Sequence, residues 1–150
     1  MKTGIVVGDA MSQNPVTADP ELTIIAITQI LIKEDVGSLL VVKGNKLLGI
    51  VTEKDIVRVL AKGLNPKKIK VDEIMTKRIH SIKPDIDLYE AIKYMKKHKV
   101  RRLPVLNKGN LVGMLTFSDI MKLQPILYEM LYDWGNMKAS EKFDKEEENE

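Results

Sequence analysis

The chain has 150 residues, of which 44% are hydrophobic, 30% charged and 5% aromatic, and its formal net charge is +3. This length permits one ordinary core or two small ones, built mainly from Ile, Leu, Val and Met. Because cysteine is absent, disulfides, thiolate metal sites and cysteine nucleophiles are excluded. No apolar run is long enough to span a bilayer and the N-terminus lacks a signal-peptide pattern, so we expect a soluble cytoplasmic protein.

The charge is unevenly distributed along the chain. Residues 141–150 carry a net charge of −4, so the remaining 140 residues carry +7. A basic body with an acidic tail is typical of a protein that binds an anionic ligand or partner. A solvated lysine surface would give the same charge, so composition alone leaves both interpretations open.

One segment of the sequence occurs twice. Residues 49–55, Gly-Ile-Val-Thr-Glu-Lys-Asp, return 64 positions later as Gly-Met-Leu-Thr-Phe-Ser-Asp at 113–119. The same offset, without a gap, relates further identical pairs: Val7 and Val71, Met11 and Met75, Pro20 and Pro84, Val41 and Val105. Such a period indicates one supersecondary unit used twice, and we expect the copies to pack by pseudo-two-fold symmetry because neither buries its apolar face alone.

The elements of the first copy follow from its pattern in chain order. It begins with a turn at residues 9–12 and a short extended piece that ends at Pro20. Apolar residues then recur at helical spacing and predict a helix that ends near Asp35. Two apolar runs, 38–42 and 47–51, flank a Gly-Asn turn, which is a hairpin signal. A last helix follows, so the unit is β-α-β-β-α.

The second copy repeats this order after a helix-breaking linker at residues 62–66. Its helix ends near His98, and its hairpin strands are expected at 103–106 and 111–115. The predicted fold class is therefore α+β, with two tandem repeats.

The repeats are placed at residues 5–62 and 69–125. Residues 126–150 are expected to form an amphipathic helix through Trp134 and a disordered acidic tail. The apolar stripe of that helix suits packing on its own domain, a dimer contact or a partner contact.

The repeated Thr-x-x-Asp, at Thr52 and Asp55 and again at Thr116 and Asp119, fits two uses. It matches the capping box of a helix, with Asp in place of Glu or Gln, and such a cap is worth about 1 kcal/mol. It also suits a nucleotide, because helix N-terminal amides attract phosphate and a carboxylate accepts hydrogen bonds from ribose hydroxyls. The strand Gly three residues before each Thr indicates close approach of a ligand or of backbone.

The repeat resembles the CBS domain, named after cystathionine β-synthase. The resemblance covers about residues 5–125 and rests on the doubled Gly-x-x-Thr-x-x-Asp and on Val-Arg-Arg-Leu-Pro-Val at 100–105. It implies a stand-alone regulatory pair that binds AMP, ADP, ATP or S-adenosylmethionine in clefts between the repeats. It also implies a homodimer that signals to a regulated partner protein and carries no catalytic cofactor.

The resemblance also implies which residues line each cleft. One cleft is expected to use Ile50, Thr52, Lys54, Asp55, Ile79, His80, Val100, Arg101, Arg102 and Pro104. The other is expected to use Pro15, Val16, Val36, Gly37, Ser38, Met114, Thr116, Ser118 and Asp119. Because Arg forms charge-assisted, often bidentate hydrogen bonds with phosphate, we expect the Asp55 cleft to bind phosphorylated nucleotides more tightly.

Enzymatic activity is not expected, because the sequence offers no nucleophile–base pair, metal-ligand cluster or Walker-type phosphate loop. Two non-catalytic alternatives remain. The chain could be a dimeric scaffold with empty clefts, or a nucleic-acid binder, which the basic body favours. Scarce aromatic residues and the lack of a known binding motif oppose nucleic-acid binding.

Overall fold

The computed structural model describes residues 2–123 together with Glu129 and Tyr132. The predicted helix through Trp134 and the acidic tail lie outside the described residues, those two positions aside. The chain divides into two compact units. Unit 1 comprises Met1–Gln13, Ile82–Val105 and Gly113–Glu150, and unit 2 comprises Asn14–Ser81 and Leu106–Val112.

The described residues form a mixed α+β fold, as predicted. The helices are α1 (Val7–Ala10), α2 (Ile24–Glu34), α3 (Glu53–Ala61), α4 (Leu88–His98) and α5 (Phe117–Met121), with a 3-10 turn at Val71–Glu73. The strands are β1 (Thr17–Ala18), β2 (Ser38–Lys43), β3 (Lys46–Thr52), β4 (Arg102–Asn107) and β5 (Asn110–Thr116), in the sheet order β1-β2-β3-β5-β4. The predicted elements are confirmed to within a few residues, with two exceptions among the described residues. The first turn is the short helix α1, and the extended piece predicted to end at Pro84 forms no strand, only an isolated parallel bridge between Ile82 and Val105.

Unit 2 is built on the hairpin of β2 and β3. The two strands are antiparallel, with Ser38 opposite Thr52, and β1 pairs with β2 in parallel. Helix α2 covers this sheet because its apolar residues Ile24, Ile27 and Leu31 share one face and are buried. The register brings the start of β2 beside the end of β3, where α3 begins.

The first turn of the second repeat belongs to unit 2. The amide of Ile24 donates to the carbonyl of Ile69 (3.0 Å), and the amide of Val71 donates to the carbonyl of Leu22 (2.8 Å). Val71 is fully buried in the core cluster of this unit. The 3-10 turn therefore completes the hydrophobic core formed by residues of the first repeat.

The first segment of the chain packs in unit 1 against residues of the second repeat. The amide of Val7 donates to the carbonyl of Ile86 (2.8 Å), and Ser12 and Met114 exchange two backbone hydrogen bonds (3.0 Å each). Val7 is fully buried in this unit. The N-terminal segments of the two repeats are thus exchanged, and the compact units do not coincide with the repeats read from the sequence.

Candidate functional site

Thr52 and Asp55 form a complete capping box at the start of α3. The Thr52 amide donates to Asp55 Oδ2 (2.8 Å), the Thr52 hydroxyl donates to the same oxygen (3.1 Å), and the Asp55 amide donates to Thr52 Oγ1 (3.3 Å). The other oxygen, Oδ1, accepts from Arg58 Nη1 at 3.2 Å. The Asp55 side chain is 11% exposed. A nearly buried carboxylate is therefore held by the cap on one side and by an arginine on the other.

Thr116 and Asp119 form the equivalent box at the start of α5. The Thr116 amide donates to Asp119 Oδ2 (2.9 Å), and the Asp119 amide donates to Thr116 Oγ1 (3.2 Å). Here Oδ1 accepts from the Ser12 hydroxyl (3.1 Å), which lies on the exchanged N-terminal segment. The cap is the same in both copies, but the group that holds the second carboxylate oxygen differs.

The sequence left open whether a ligand or the protein backbone approaches the strand glycines Gly49 and Gly113. In the structure, protein atoms lie close to both. A Cβ on Gly49 would lie 2.5 Å from Met75 Sδ and 3.0 Å from the Thr76 carbonyl oxygen. A Cβ on Gly113 would lie 2.5 Å from Met11 Sδ and 2.9 Å from the Ser12 carbonyl oxygen. Both glycines are required because the exchanged segments pack directly against them.

The residues predicted for each cleft are divided between the two units. Unit 2 holds Pro15, Val16, Val36, Gly37, Ser38, Ile50, Thr52, Lys54, Asp55, Ile79 and His80. Unit 1 holds Val100, Arg101, Arg102, Pro104, Met114, Thr116, Ser118 and Asp119. Ser38, Asp55 and Pro104 are buried, and Lys54, Arg101 and Arg102 are exposed.

Inside each unit, the start of the second strand lies beside the cap of the same repeat. The Glu53 amide donates to the Gly37 carbonyl (3.1 Å), and the Phe117 amide donates to the Arg101 carbonyl (2.9 Å). The Arg101 guanidinium also lies 5.6 Å from the centre of the Phe117 ring. Arg101 is therefore a neighbour of the Asp119 motif within unit 1, whereas the sequence-based grouping assigned it to the Asp55 cleft.

Sequence reasoning missed the two groups that bind Oδ1. Arg58 follows Asp55 by three residues on one helix, a spacing at which opposite charges meet, so its pairing had a sequence signal. Ser12 and Asp119 are 107 positions apart, and no local pattern connects them.

Two negative observations apply to the described part of the chain. No group of three or more His, Asp or Glu side chains there is arranged to hold a metal ion. None of its helices has the length and apolarity that crossing a membrane requires.

Comparison with known proteins identifies the repeat. The sequence profile of the CBS domain matches residues 7–62 and 71–125. An uncharacterized protein from Methanopyrus kandleri is 30% identical over 126 residues, which are 82% of this chain and 64% of that longer protein.

Two solved structures are similar to the chain over most of its length. A putative acetoin utilization protein (AcuB) from Vibrio cholerae has a TM-score of 0.74 and 31% identity, covering 86% of this chain and 96% of that one. The CBS domain pair of protein MJ0100, in complex with 5'-methylthioadenosine and S-adenosyl-L-methionine, has a TM-score of 0.68 and 32% identity, covering 79% and 94%. With two matched domains that together span well over half of its residues, the chain belongs to the CBS domain family.

Proposed function

We propose that this protein is a non-catalytic regulatory module that binds an adenosine ligand through its two Thr-x-x-Asp motifs and reports the bound state to a partner protein. The observation that carries the proposal is that the two oxygens of each carboxylate bind different partners. Oδ2 of Asp55 and of Asp119 is used by the cap, whereas Oδ1 is held by a replaceable side chain. The motif can therefore cap its helix and hold a ligand at once.

Displacement of these side chains requires little free energy. Arg58 is 60% exposed, so its guanidinium is hydrated when a ligand group takes its place at the nearly buried Asp55 carboxylate. The Ser12 hydroxyl is exposed and can bond to water instead. A ribose hydroxyl that donates to Oδ1 would replace either group with a bond to a charged acceptor, which is among the stronger hydrogen bonds in proteins.

The ligand phosphate would depend on side chains more than on the helix N-terminus. In α3 the Glu53 and Asp55 amides already donate, to Gly37 and to Thr52. In α5 the Phe117 and Asp119 amides are used in the same way. Few first-turn amides remain to bind a phosphate, which weakens the argument from the helix N-terminus.

The charge near each motif then suggests which one takes a phosphorylated ligand. Arg101 lies beside the Asp119 motif, and Lys54 lies in the first turn after Thr52. We assign the phosphorylated nucleotides AMP, ADP and ATP to the Asp119 motif, because an arginine can bind phosphate bidentately and a lysine cannot. The alternative is the sequence-based grouping, in which Arg101 and Arg102 serve the Asp55 cleft.

The similarity to the MJ0100 pair supports the adenosine class. The two compounds in that complex, 5'-methylthioadenosine and S-adenosyl-L-methionine, share ribose hydroxyls that can donate hydrogen bonds to a carboxylate. The nucleotides offer the same hydroxyls, so the ribose contact does not decide between ligands that lack a phosphate and phosphorylated ones. The protein is further proposed to act as a homodimer, whose arrangement changes because the ligand binds one arrangement better than another.

Calorimetry tests the proposal. We expect 5'-methylthioadenosine, S-adenosylmethionine, AMP, ADP or ATP to bind the wild type, with one class of sites lost in Asp55→Ala and the other in Asp119→Ala. Thr23→Ala is the matched control, because it removes the N-cap of α2 without touching either motif. Absence of heat from every adenosine ligand at millimolar concentration would refute the proposal.

The same titration of the Arg101→Ala variant shows which motif binds the phosphorylated ligand. We expect the affinity for AMP to fall while the affinity for 5'-methylthioadenosine is kept. If the loss of AMP affinity appears in the sites that Asp55→Ala removes, the sequence-based grouping is right and the assignment to Asp119 is wrong.

A further inference from the structure

The second repeat carries a run of positive charge that the first repeat lacks. Residues 91–118 contain seven Lys and Arg residues and no Asp or Glu. The 64-residue offset relates them to residues 27–54 of the first repeat, which contain four Lys and three acidic residues. Both repeats form the same helix and hairpin from these segments. The excess of positive charge is therefore not a requirement of the fold.

Helix α4 of unit 1 presents part of this charge on one face. The residues that the helix buries are all apolar. Tyr89, Lys93, Lys96 and Lys97 follow the spacing i, i+4, i+7 and i+8, which places them on a common face over a length of about 12 Å. Lys93 and Lys97 are exposed, whereas Lys96 is half-buried. These four residues are named the basic stripe.

Neighbouring carboxylates neutralise little of the charge on the basic stripe. Glu90 is the only acidic residue of α4, and its Oε1 lies 3.6 Å from Lys93 Nζ. Both side chains of this pair are more than half exposed, so the ion pair is screened by water and is weak. Lys96 and Lys97 form no ion pair with another described residue. A partner of this face should therefore be anionic.

Aromatic residues are also concentrated in unit 1. Unit 2 contains no Phe, Tyr or Trp, whereas unit 1 has Tyr89 and Tyr94 in α4 and Phe117 at the start of α5, all three half-buried. Lys93 Nζ lies 5.5 Å from the centre of the Tyr89 ring, and the Arg101 guanidinium lies 5.6 Å from the centre of the Phe117 ring. Aromatic residues are scarce in the chain as a whole, but here they lie beside positive charge.

We infer that the basic stripe binds single-stranded nucleic acid, with the lysines on its phosphates and the Tyr89 ring stacked on a base. Positive charge combined with aromatic rings is the means by which proteins bind single strands without sequence preference. Because Lys93 is more than half exposed, its ammonium group can move from the Tyr89 ring to a phosphate and leave the ring to a base. An acidic protein would match the lysines equally well, but it would give the ring no role. The inference goes beyond the proposed function and does not depend on adenosine binding.

Fluorescence anisotropy of a labelled oligouridylate RNA tests the charge, with the full chain and a series of salt concentrations. This RNA contains no adenosine. Lys97→Gln should weaken RNA binding several-fold at low salt and reduce the slope of log affinity against log salt concentration by about 0.7, the value for one phosphate contact on a single strand. Lys33→Gln is the matched control, since Lys33 is the exposed residue of α2 that the offset relates to Lys97. It should leave both quantities unchanged.

Two substitutions of Tyr89 test the stacking. Tyr89→Ile introduces the residue that α2 has at the equivalent position, Ile25, and should weaken RNA binding about five-fold or more without changing the salt slope. Tyr89→Phe keeps the ring and should bind as the wild type does. Equal affinity of the Ile and Phe variants would overturn the stacking and with it the assignment to single strands.

Three further results would overturn the inference. The first is a wild type that does not bind the RNA at low salt. The second is an equal loss in Lys33→Gln and Lys97→Gln, because the positive charge would then act without regard to place. The third is displacement of the RNA by polyglutamate as readily as by unlabelled RNA, which would indicate an acidic protein as partner. Asp55→Ala and Asp119→Ala should bind the RNA normally, so the calorimetry of adenosine ligands is judged separately.

Discussion

The Asp55 and Asp119 motifs share the same sequence frame but differ in how their carboxylates are completed. Asp55 receives its second partner, Arg58, from the same helix three residues away, and Asp119 receives Ser12 from a segment 107 positions away. The partner of Asp55 is local and charged, whereas the partner of Asp119 is an uncharged hydroxyl whose position depends on how the chain is folded. The repeated motif therefore specifies the cap, whereas residues outside the motif determine which group binds Oδ1.

The largest expected effect comes from the strand glycines on which both motifs depend. Gly49→Ala and Gly113→Ala should each lower the free energy of unfolding by about 1–3 kcal/mol, because the new methyl group meets Met75 or Met11 and a backbone carbonyl. Urea denaturation measures the loss. Adding Met75→Ala to Gly49→Ala should recover part of it by making room, and a double variant less stable than the sum of both changes would contradict this packing.

The caps come next. Thr52→Ala and Thr116→Ala should each cost about 1 kcal/mol in the free energy of unfolding. We expect the Thr52 change to cost more, since its hydroxyl also donates to Asp55 Oδ2 at 3.1 Å. Thermal unfolding compares them, with Thr→Ser at the same positions as controls that keep the hydroxyl. Equal stability of the Ala and Ser variants would show that the caps do not stabilise the protein.

Removing the side chain that binds Oδ1 of either carboxylate should have a smaller effect, which is measured as a change in ligand affinity. Arg58→Ala frees Oδ1 of Asp55, and Ser12→Ala frees Oδ1 of Asp119. If a ribose hydroxyl replaces these groups, each variant should bind its adenosine ligand as tightly as the wild type or a few-fold more tightly. Stability should fall by about 1 kcal/mol, the usual net contribution of one hydrogen bond. Calorimetry decides, and a loss of affinity would mean that Arg58 or Ser12 contacts the ligand itself.

The smallest expected effect is a loss of stability at acid pH, and it arises at the N-cap of α4, the helix that precedes the Asp119 motif. The offset relates Thr23, the cap of α2, to Asp87, the cap of α4. Hydrogen bonds from the Thr3 and Tyr89 amides lower the pKa of Asp87 to about 2. Because the folded pKa is depressed, this stabilisation is present above the ordinary pKa of 3.8 and is lost as the pH falls toward 2.

Asp87→Thr gives unit 1 the cap of unit 2 and tests this pH dependence. Between pH 4 and pH 2, the variant should lose less stability than the wild type, as followed by acid denaturation. Identical acid transitions would mean that Asp87 does not contribute to the acid sensitivity.

Much of the site could be predicted from neighbouring residues. The Thr52 and Asp55 box is visible in the sequence because its hydrogen bonds join residues three apart, and the structure confirms it in both copies. The hairpins are equally local, since a Gly-Asn turn lies between two short apolar runs. The position of Arg101 beside Phe117 was not predicted, because it depends on how a strand start meets the next helix.

The sequence by itself determined the repeat, the helices and hairpins in their order, and the capped helix that follows each hairpin. These features follow from periodicity and from hydrogen bonds between near neighbours. Only the tertiary structure decided that the N-terminal segments are exchanged, that Met75 and Met11 lie against Gly49 and Gly113, and that Ser12 completes Asp119. These contacts join residues far apart in the chain, and no local pattern in the sequence specifies them.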